Sequence, residues 1–151
     1  MPHIVLKTLV SCAPEVLFDL ARDMDVHTRS VPQSRETAKT STGKPLMELG
    51  DQVTLTARQF GRRWSICAEI VEYDRPRLFV DALLEGPMAA MRHEHEFQAE
   101  GDKTRMIDRV DFHSPFGFLG ALADRFFIAP RLTSFLTQRA AYLKRLAEAS
   151  R

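Results

Sequence analysis

The sequence lacks the features that mark several large classes of protein. Its two cysteines, Cys12 and Cys67, form neither a CxxC pair nor a zinc-ligand spacing, so reduced thiols are expected. It contains no Gly-rich phosphate loop and no nucleophile elbow. Because 21 basic and 20 acidic residues leave a net charge of only +1, the basic stripe of a nucleic-acid-binding protein is missing and no nucleic-acid partner is expected.

Long apolar runs are also missing. Residues 116–130 form the longest apolar stretch, but Asp124 and Arg125 interrupt it, and it is too short to cross a bilayer, so we expect no membrane insertion. Residues 1–7 lack the charged region and apolar core of a signal peptide, which favours a cytoplasmic location. A chain of 151 residues with 44% hydrophobic content predicts a single globular domain over residues 1–151.

The most informative feature that is present is a β-hairpin over residues 91–112. Gly101-Asp102 suits a two-residue type II′ turn, which Glu100 and Lys103 flank with opposite charges. Counting outward from that pair gives one mainly apolar face, with these cross-strand pairs: Phe97–Met106, His95–Asp108, His93–Val110 and Met91–Phe112. The other face is mostly charged. A slip by one residue would set Glu96 against Asp108 and mix the two faces, so the register is well specified.

A second hairpin is predicted with Gly61-Arg62 as its turn. Its apolar face would contain the following pairs: Gln59–Trp64, Ala57–Ile66, Leu55–Ala68 and Val53–Ile70. The next strand, residues 78–84, follows a turn at residues 74–77. Counting across that turn points Phe79 and Asp81 inward. A β-bulge would instead turn the competing residues inward, which are Leu78, Val80 and Leu84, and the pattern leaves both possibilities open.

The remaining segments complete an α+β pattern. Residues 3–11 and 35–40 predict strands, whereas residues 13–20 and 25–31 predict two short helices. From residue 119 to 149 the apolar residues recur at helical spacing, and Pro130 should kink or divide that helix. A curved antiparallel sheet of about six to seven strands, followed by a long amphipathic helix, is most simply closed by laying the helix across the sheet.

Several segments fit one known pattern when they are taken together with this order of elements: residues 69–81, 86–87, 93–97, 104–108 and 115–120. They resemble the START-like superfamily of helix-grip proteins, and within it the polyketide cyclase/dehydrase (SRPBCC-type) ligand-binding group. The resemblance implies a helix-grip fold around a cavity for a small hydrophobic molecule of lipid, polyketide or aromatic type. It implies no shared catalytic set, since only some members catalyse a reaction, and we expect no cofactor.

The His95–Asp108 pair has three interpretations. In the first, Asp108 orients the imidazole of His95, which binds an oxygen group of a ligand or moves a proton. In the second, the two side chains satisfy each other inside the core. In the third, His93 joins them to bind Fe(II) or Zn(II). We expect no metal, because the match to the His-x-His motif of cupins is incomplete. Gly86 lies one residue away from the position that the motif requires, and Ile107 replaces the glycine that closes it.

These considerations predict a set of site residues. His95 and Asp108 are the candidate catalytic pair. The candidate ligand contacts are Trp64, Ile66, Phe79, Asp81, Met91, His93, Phe97, Met106, Val110, Phe112, Phe126 and Phe135. In addition, His27, Arg29 and Glu36 could gate the cavity or anchor an acidic ligand.

The leading functional hypothesis is reversible binding of a small, mostly apolar molecule that has one or two oxygen groups. The first alternative is a cyclase, dehydratase or hydrolase that acts on a polyketide-like or aromatic substrate, with His95 as proton shuttle. The second is a protein- or quinone-interaction module without catalysis.

Overall fold

The computed structural model describes residues 3–59 and 61–149, with the side chains of Ser34 and Gln59 left out. Its strands are β1 (His3–Val10), β2 (Thr37–Thr40), β3 (Gln52–Gln59), β4 (Arg62–Asp74), β5 (Leu78–Glu85), β6 (Ala90–Glu100) and β7 (Lys103–His113). Its helices are α1 (Pro14–Ala21), α2 (Met24–Ser30), α3 (Gly117–Ala123) and α4 (Ala129–Ala149), with a short 3₁₀ turn at Pro32–Ser34. None of the helices in the described ranges is long and apolar enough to cross a membrane.

All seven strands form one antiparallel sheet in the order β1-β7-β6-β5-β4-β3-β2. Two short helices follow β1, and the long helix α4 packs against the concave side of the curved sheet. The predicted helix-grip fold is therefore confirmed, with the sheet at the upper end of the expected number of strands.

The β6–β7 hairpin has the predicted register. Glu100 pairs with Lys103, and further along the strands His95 lies opposite Asp108. Gly101 adopts a φ of +63°, whereas Asp102 has no positive φ, as a type II′ turn requires. Local turn chemistry and the separation of an apolar from a charged face were sufficient to determine this hairpin.

The pairing predicted for the β3–β4 hairpin is wrong by two residues. Ala57 lies opposite Trp64 rather than Ile66, because Gln59 pairs with Arg62 and Gly61, at φ +70°, is the second residue of the turn rather than the first. The other turn residue, Phe60, lies outside the described residues. Since side chains alternate with a period of two, a shift by two leaves every residue on its predicted face.

The orientation of β5, which the sequence left open, follows the simple count across the turn. Phe79 and Asp81 both point toward the concave side of the sheet, where they line a cavity. The pairing of β4 with β5 shifts twice: Val71 is an extra residue in β4, and Leu84 is an extra residue in β5 between Leu83 and Glu85. Neither irregularity turns Asp81 outward.

The C-terminal helical segment is continuous through Pro130. Between α3 and α4, residues Asp124–Ile128 form a π-helical turn, and Pro130 is the second residue of α4. Proline has no N–H to donate to the carbonyl four residues earlier, and a local widening of the helix accommodates that missing bond. The kink or division of the helix that was predicted at Pro130 is thus a π-helical turn just before it.

The core is densely packed at one end of the sheet. Phe18 of α1 is fully buried, and its ring makes edge-to-face contacts with three aromatic rings at centroid distances of 5.2 to 5.5 Å: those of Tyr73, Phe79 and Phe97. Ala140 and Leu143 of α4 close the same cluster. A second, smaller cluster joins Phe112 to Leu136. Away from these clusters, sheet and helix diverge and enclose open space.

Candidate ligand-binding site

A cavity of about 590 Å³ lies between the concave face of the sheet and α4, within the size range of small-molecule sites. Its walls are mainly apolar, and they include Val53, Leu55, Trp64, Ile66, Leu83 and Leu132. Ala57 and Ala68 contribute only methyl groups to the sheet side of the wall, so the volume that larger side chains would fill stays open. The aromatic cluster around Phe18 closes the opposite end.

A polar cluster forms part of the floor of this cavity. It consists of Asp81 from β5, His93 and His95 from β6, Asp108 from β7 and Arg139 from α4. His95 Nε2 lies 2.8 Å from Asp81 Oδ2, and His93 Nε2 lies 2.8 Å from Asp108 Oδ1. Arg139 Nη1 approaches the same Asp108 oxygen at 3.4 Å, and its Nη2 donates to the carbonyl of Ala21 at 3.2 Å.

The His95 ring is held between two other rings. Phe79 stacks on it at a centroid distance of 4.1 Å and an interplanar angle of 14°, and His93 stacks on it at 3.7 Å and 26°. Two rings this close cannot share one face, so they lie on opposite faces of the imidazole. Since its Nδ1 also lies 3.4 Å from Asp108, both nitrogens of His95 face carboxylates. His95 is 4% exposed, and its ring is covered on both faces.

His93 and Asp81 are the members of the cluster that face the cavity most directly. The side chain of Asp81 is 27% exposed and that of His93 is 12% exposed, whereas Asp108 is completely buried. Within the described part of the chain, Nδ1 of His93 makes no hydrogen bond, since the bond to Asp108 uses Nε2. A ligand in the cavity would therefore meet His93 and Asp81, with His95 and Asp108 behind them.

The cluster is not fully satisfied by its own members. Asp108 Oδ2 is buried without a hydrogen-bond partner, and His95 Nδ1 is too far from Asp108 for a full hydrogen bond. Each such group costs about 1–3 kcal/mol of stability. A cluster that served only to stabilise the core would be expected to pair these atoms.

The electrostatics keep both carboxylates ionised. Burial by itself would raise the pKa of Asp108, but the hydrogen bond from His93, the neighbouring imidazole of His95 and the charge of Arg139 hold it well below 3.8. Burial opposes ionisation of Asp81 in the same way, yet the hydrogen bond from His95 lowers its pKa below 3.8. Burial, with the neighbouring His95 as a second cause, lowers the pKa of His93 below 6.5 despite the nearby carboxylates.

Among the residues that the structure describes, Asp81, His93 and His95 form the group that could bind a metal, since their ligand atoms lie within 4.8 Å of one another. Their present geometry suits hydrogen bonding better than coordination. A metal must lie in the plane of each imidazole that binds it, at about 2.1 Å from the nitrogen. Planes 3.7 Å apart and tilted by 26° intersect well beyond that distance, so one ring would have to rotate before both could coordinate.

The cavity is lined by eight of the residues that the sequence proposed: Trp64, Ile66, Phe79, Asp81, Met91, His93, His95 and Phe135. Asp108 lies directly behind this wall. The structure pairs Asp108 mainly with His93, although His95 is its cross-strand neighbour.

Five other proposed ligand contacts do not lie on the cavity wall. Phe97 and Met106 belong to the packed cluster around Phe18, and Val110 and Phe112 belong to the smaller cluster with Leu136. They share the correct face of the sheet, but α1 and α4 cover that part of it. Phe126 lies away from the wall for a different reason: it belongs to the π-helical turn and has 60% of its surface exposed, beside Arg125.

Sequence reasoning missed Arg139, although a signal was available. The buried face of α4 consists of Leu136, Arg139, Ala140, Leu143 and Ala147 at helical spacing. A charged residue in the middle of such an apolar stripe is rarely buried without a partner. At 3% exposure Arg139 is buried, and its partner is Asp108.

A second polar group lies on another part of the cavity wall, beside α2 and the 3₁₀ turn. His27 Nε2 lies 2.5 Å from Glu36 Oε1, and Gln138 donates to Gln33 at 2.8 Å, which links α4 to the 3₁₀ turn. All four residues line the cavity. Arg29 is not among the lining residues, so only His27 and Glu36 of the predicted gating group contact this space.

The family model described as polyketide cyclase / dehydrase and lipid transport matches residues 1–148. The chain belongs to this family. Its members share the helix-grip fold that the sequence resemblance implied, and the match covers nearly every residue of the chain.

Solved structures agree with this assignment at the level of the fold. A protein from Thermus thermophilus superimposes with a TM-score of 0.80 at 16% identity, covering 99% of both chains. A START superfamily protein from Mycobacterium smegmatis gives 0.73 at 14% identity, again covering 99% of both chains. Norcoclaurine synthase from Thalictrum flavum gives 0.69 at 12% identity, covering 96% of this chain and 85% of that one. No curated protein matches the sequence significantly.

Proposed function

We propose that this member of the polyketide cyclase/dehydrase and lipid transport family reversibly binds a small, mostly apolar molecule with one or two oxygen groups. The observation on which the proposal rests is the cavity of about 590 Å³ with apolar walls and one buried His/Asp/Arg cluster in its floor. A cytoplasmic location accords with Cys12 and Cys67, which are not joined in a disulfide.

The apolar walls would supply most of the affinity. Each Å² of apolar ligand surface removed from water contributes roughly 25 cal/mol, and the aromatic walls include Trp64, Phe79 and Phe135. Most of the lining outside the two polar groups is hydrocarbon. The ligand class that fits is therefore a lipid, polyketide or aromatic compound whose central part is hydrocarbon.

The polar cluster would supply orientation. His93 Nδ1 is the nitrogen left over after the bond to Asp108, and Asp81 is a carboxylate held in place by His95. A ligand hydroxyl could donate to Asp81, and His93 could accept from or donate to an oxygen group depending on its tautomer. One such hydrogen bond contributes about 0.5–1.5 kcal/mol, which is about a two- to twelvefold preference for an oxygenated ligand.

Paired probes test both parts of this proposal. We expect the protein to quench or shift the fluorescence of 2-naphthol on binding and to bind naphthalene more weakly. His93→Phe should reduce that preference in a protein that is still folded by circular dichroism, and it should lower the thermal midpoint because the buried Asp108 loses its hydrogen bond from His93. His3→Phe is the matched control, because His3 forms a His–Asp pair with Asp111 at an exposed position on the sheet. It should keep the preference.

A cavity-filling variant tests the location of the site. Ala57→Trp places an indole into the cavity from β3 and should weaken binding of both probes, whereas Ala99→Trp, at an exposed position of β6, should not. Native mass spectrometry of the freshly purified protein should also show a guest of a few hundred daltons. Equal binding by Ala57→Trp and wild type would refute the proposal.

A second candidate function is acid–base catalysis in the same cavity, and the observation that favours it is the Asp81–His95 hydrogen bond. Asp81 is partly exposed to the cavity and is backed by a buried imidazole, as a proton shuttle requires. Hydrolysis of p-nitrophenyl hexanoate provides a probe. Full activity in His95→Gln, or a pH–rate profile without an inflection near neutrality, would eliminate this candidate.

A further inference from the structure

An exposed apolar patch follows the last strand. It consists of Phe116, Phe118, Leu119, Phe126 and Phe127, with exposures of 83%, 77%, 71%, 60% and 64%. Five large apolar side chains this exposed within twelve residues are unusual on a monomeric surface, where such patches mark interaction sites. The patch is distinct from the cavity: none of its five residues lines the cavity, and the first lining residue after the patch is Ile128.

The patch is held rigidly. Asp124, which is 1% exposed, accepts hydrogen bonds from the backbone N–H and the hydroxyl of Ser114, at 2.9 and 2.5 Å. Gly120 packs so closely on Pro115 that a Cβ atom would lie 2.1 Å from its carbonyl oxygen. Phe116 adopts a φ of +76°, which is unfavourable for a bulky residue and is found mainly where function maintains it. The exposure of these side chains is therefore built into the fold.

The topology places this patch at the end of the sheet where Trp64, Leu83 and Met91 line the cavity. In the antiparallel sheet, the end of β3, the start of β4, the end of β5, the start of β6 and the end of β7 all lie at one end. The patch directly follows β7 at that end. Immediately after it, Ile128, Leu132 and Phe135 continue along the helical segment as cavity wall. The exposed patch and this part of the cavity wall are thus consecutive stretches of the chain.

The same end of the sheet is rich in arginine. Arg58 of β3 lies directly opposite Arg63 of β4, and Arg35, just before β2, lines a depression with both of them. Like charges in directly opposed positions destabilise a sheet unless an anion compensates them. No ion pair joins any of these three arginines to a carboxylate of the described residues. Arg62 next to them contacts the ring of Trp64 instead.

We propose that this end of the molecule docks onto an anionic lipid bilayer, with the apolar patch in the interface and the three arginines at the level of the headgroups. Phenylalanine and leucine side chains enter the boundary between headgroups and acyl chains, and arginines bind the lipid phosphates around them. A protein partner would not require the three arginines without carboxylate partners at the same end of the sheet. Docking does not require a bound ligand, so this proposal can be tested independently of the proposed binding function.

Co-sedimentation with lipid vesicles tests the proposal. The wild-type protein should sediment with phosphatidylcholine vesicles that contain phosphatidylglycerol, and far less with phosphatidylcholine alone or at high salt. Phe118→Ser/Phe127→Ser should lower the partition coefficient by about tenfold or more. Arg58→Glu/Arg63→Glu should remove the preference for phosphatidylglycerol, because each arginine contributes about fivefold.

Leu49→Ser is the matched control. Leu49 is 61% exposed, but it lies between β2 and β3 at the opposite end of the sheet. The Leu49→Ser variant should sediment with vesicles as wild type does. The proposal would be overturned if Phe118→Ser/Phe127→Ser sedimented with the vesicles as wild type does. It would also be overturned if analytical ultracentrifugation showed a stable dimer that this variant dissociates, because the patch would then bind another copy of the chain.

Discussion

Replacing Arg139 by methionine removes the only guanidinium of the buried cluster and leaves its carboxylates in place. Arg139 is 3% exposed and Asp108 is completely buried, so solvent cannot replace the lost charge. Breaking a buried ion pair by removing one partner costs about 3–5 kcal/mol. The lower end applies here, because the contact from Nη1 to Asp108 is long, at 3.4 Å, and Asp108 keeps its hydrogen bond from His93.

We therefore expect Arg139→Met to lower the free energy of unfolding by about 3 kcal/mol at pH 8, which corresponds to roughly 6–12 °C in the thermal midpoint. Methionine has nearly the length of the arginine stem, so packing along α4 changes little. The lost hydrogen bond to the carbonyl of Ala21 is part of this cost. Urea denaturation followed by circular dichroism measures the difference.

The pH dependence of this loss identifies its cause. Without the guanidinium, the negative charge of Asp108 favours protonation of His93, whose pKa burial lowers in the wild type. Protonation would restore a positive charge next to Asp108. The destabilisation by Arg139→Met should therefore be smaller at pH 5.5 than at pH 8.

A double-mutant cycle with Asp108→Asn provides the control. If Arg139 acts through Asp108, the two substitutions should couple by at least about 1 kcal/mol, because each single variant leaves the other charge buried and unpaired. A loss below about 1 kcal/mol, a loss of the same size at both pH values, or additive effects would each refute this account of the cluster.

Three further predictions concern the site and its frame. Because burial lowers the pKa of His93, the unfolded chain takes up this proton first as the pH falls below 6.5; urea titrations should show stability declining there, and His93→Gln should reduce the decline. Gly120→Ala forces a Cβ atom against the Pro115 carbonyl and should cost more than about 2 kcal/mol by thermal denaturation; an unchanged midpoint would contradict the packing. Phe18→Ala should cost about 3–5 kcal/mol, and a value below about 1 kcal/mol would contradict its place in the core.

The part of the site that was predictable from the sequence lies on one hairpin. The turn at Gly101 sets the register of β6 and β7, and the alternation of side chains then puts His93, His95 and Asp108 on one face. All of this depends on residues close together in the sequence. The β3–β4 hairpin shows how far such reasoning holds: its pairing was wrong by two residues, yet Trp64 and Ile66 still face the cavity.

The sequence pattern failed where contacts between distant elements decide. Phe97 and Phe112 share the face of the sheet that the cavity occupies, but α1 and α4 fill the space above them. Phe126 fits the helical apolar pattern, but the π-helical turn leaves it on the surface. Periodicity identifies a face, and it does not identify which part of that face another element covers.

By itself, the sequence determined the helix-grip fold, the register of the β6–β7 hairpin and the shared face of its histidines, because turn chemistry and the period-two alternation of strands are local properties. Only the tertiary structure decided that Asp81 bonds His95, that Asp108 bonds His93, and that Arg139 of α4 completes the cluster. Those partners come from separate strands and from a helix more than thirty residues away in the chain, and their pairing depends on how these elements pack rather than on local sequence.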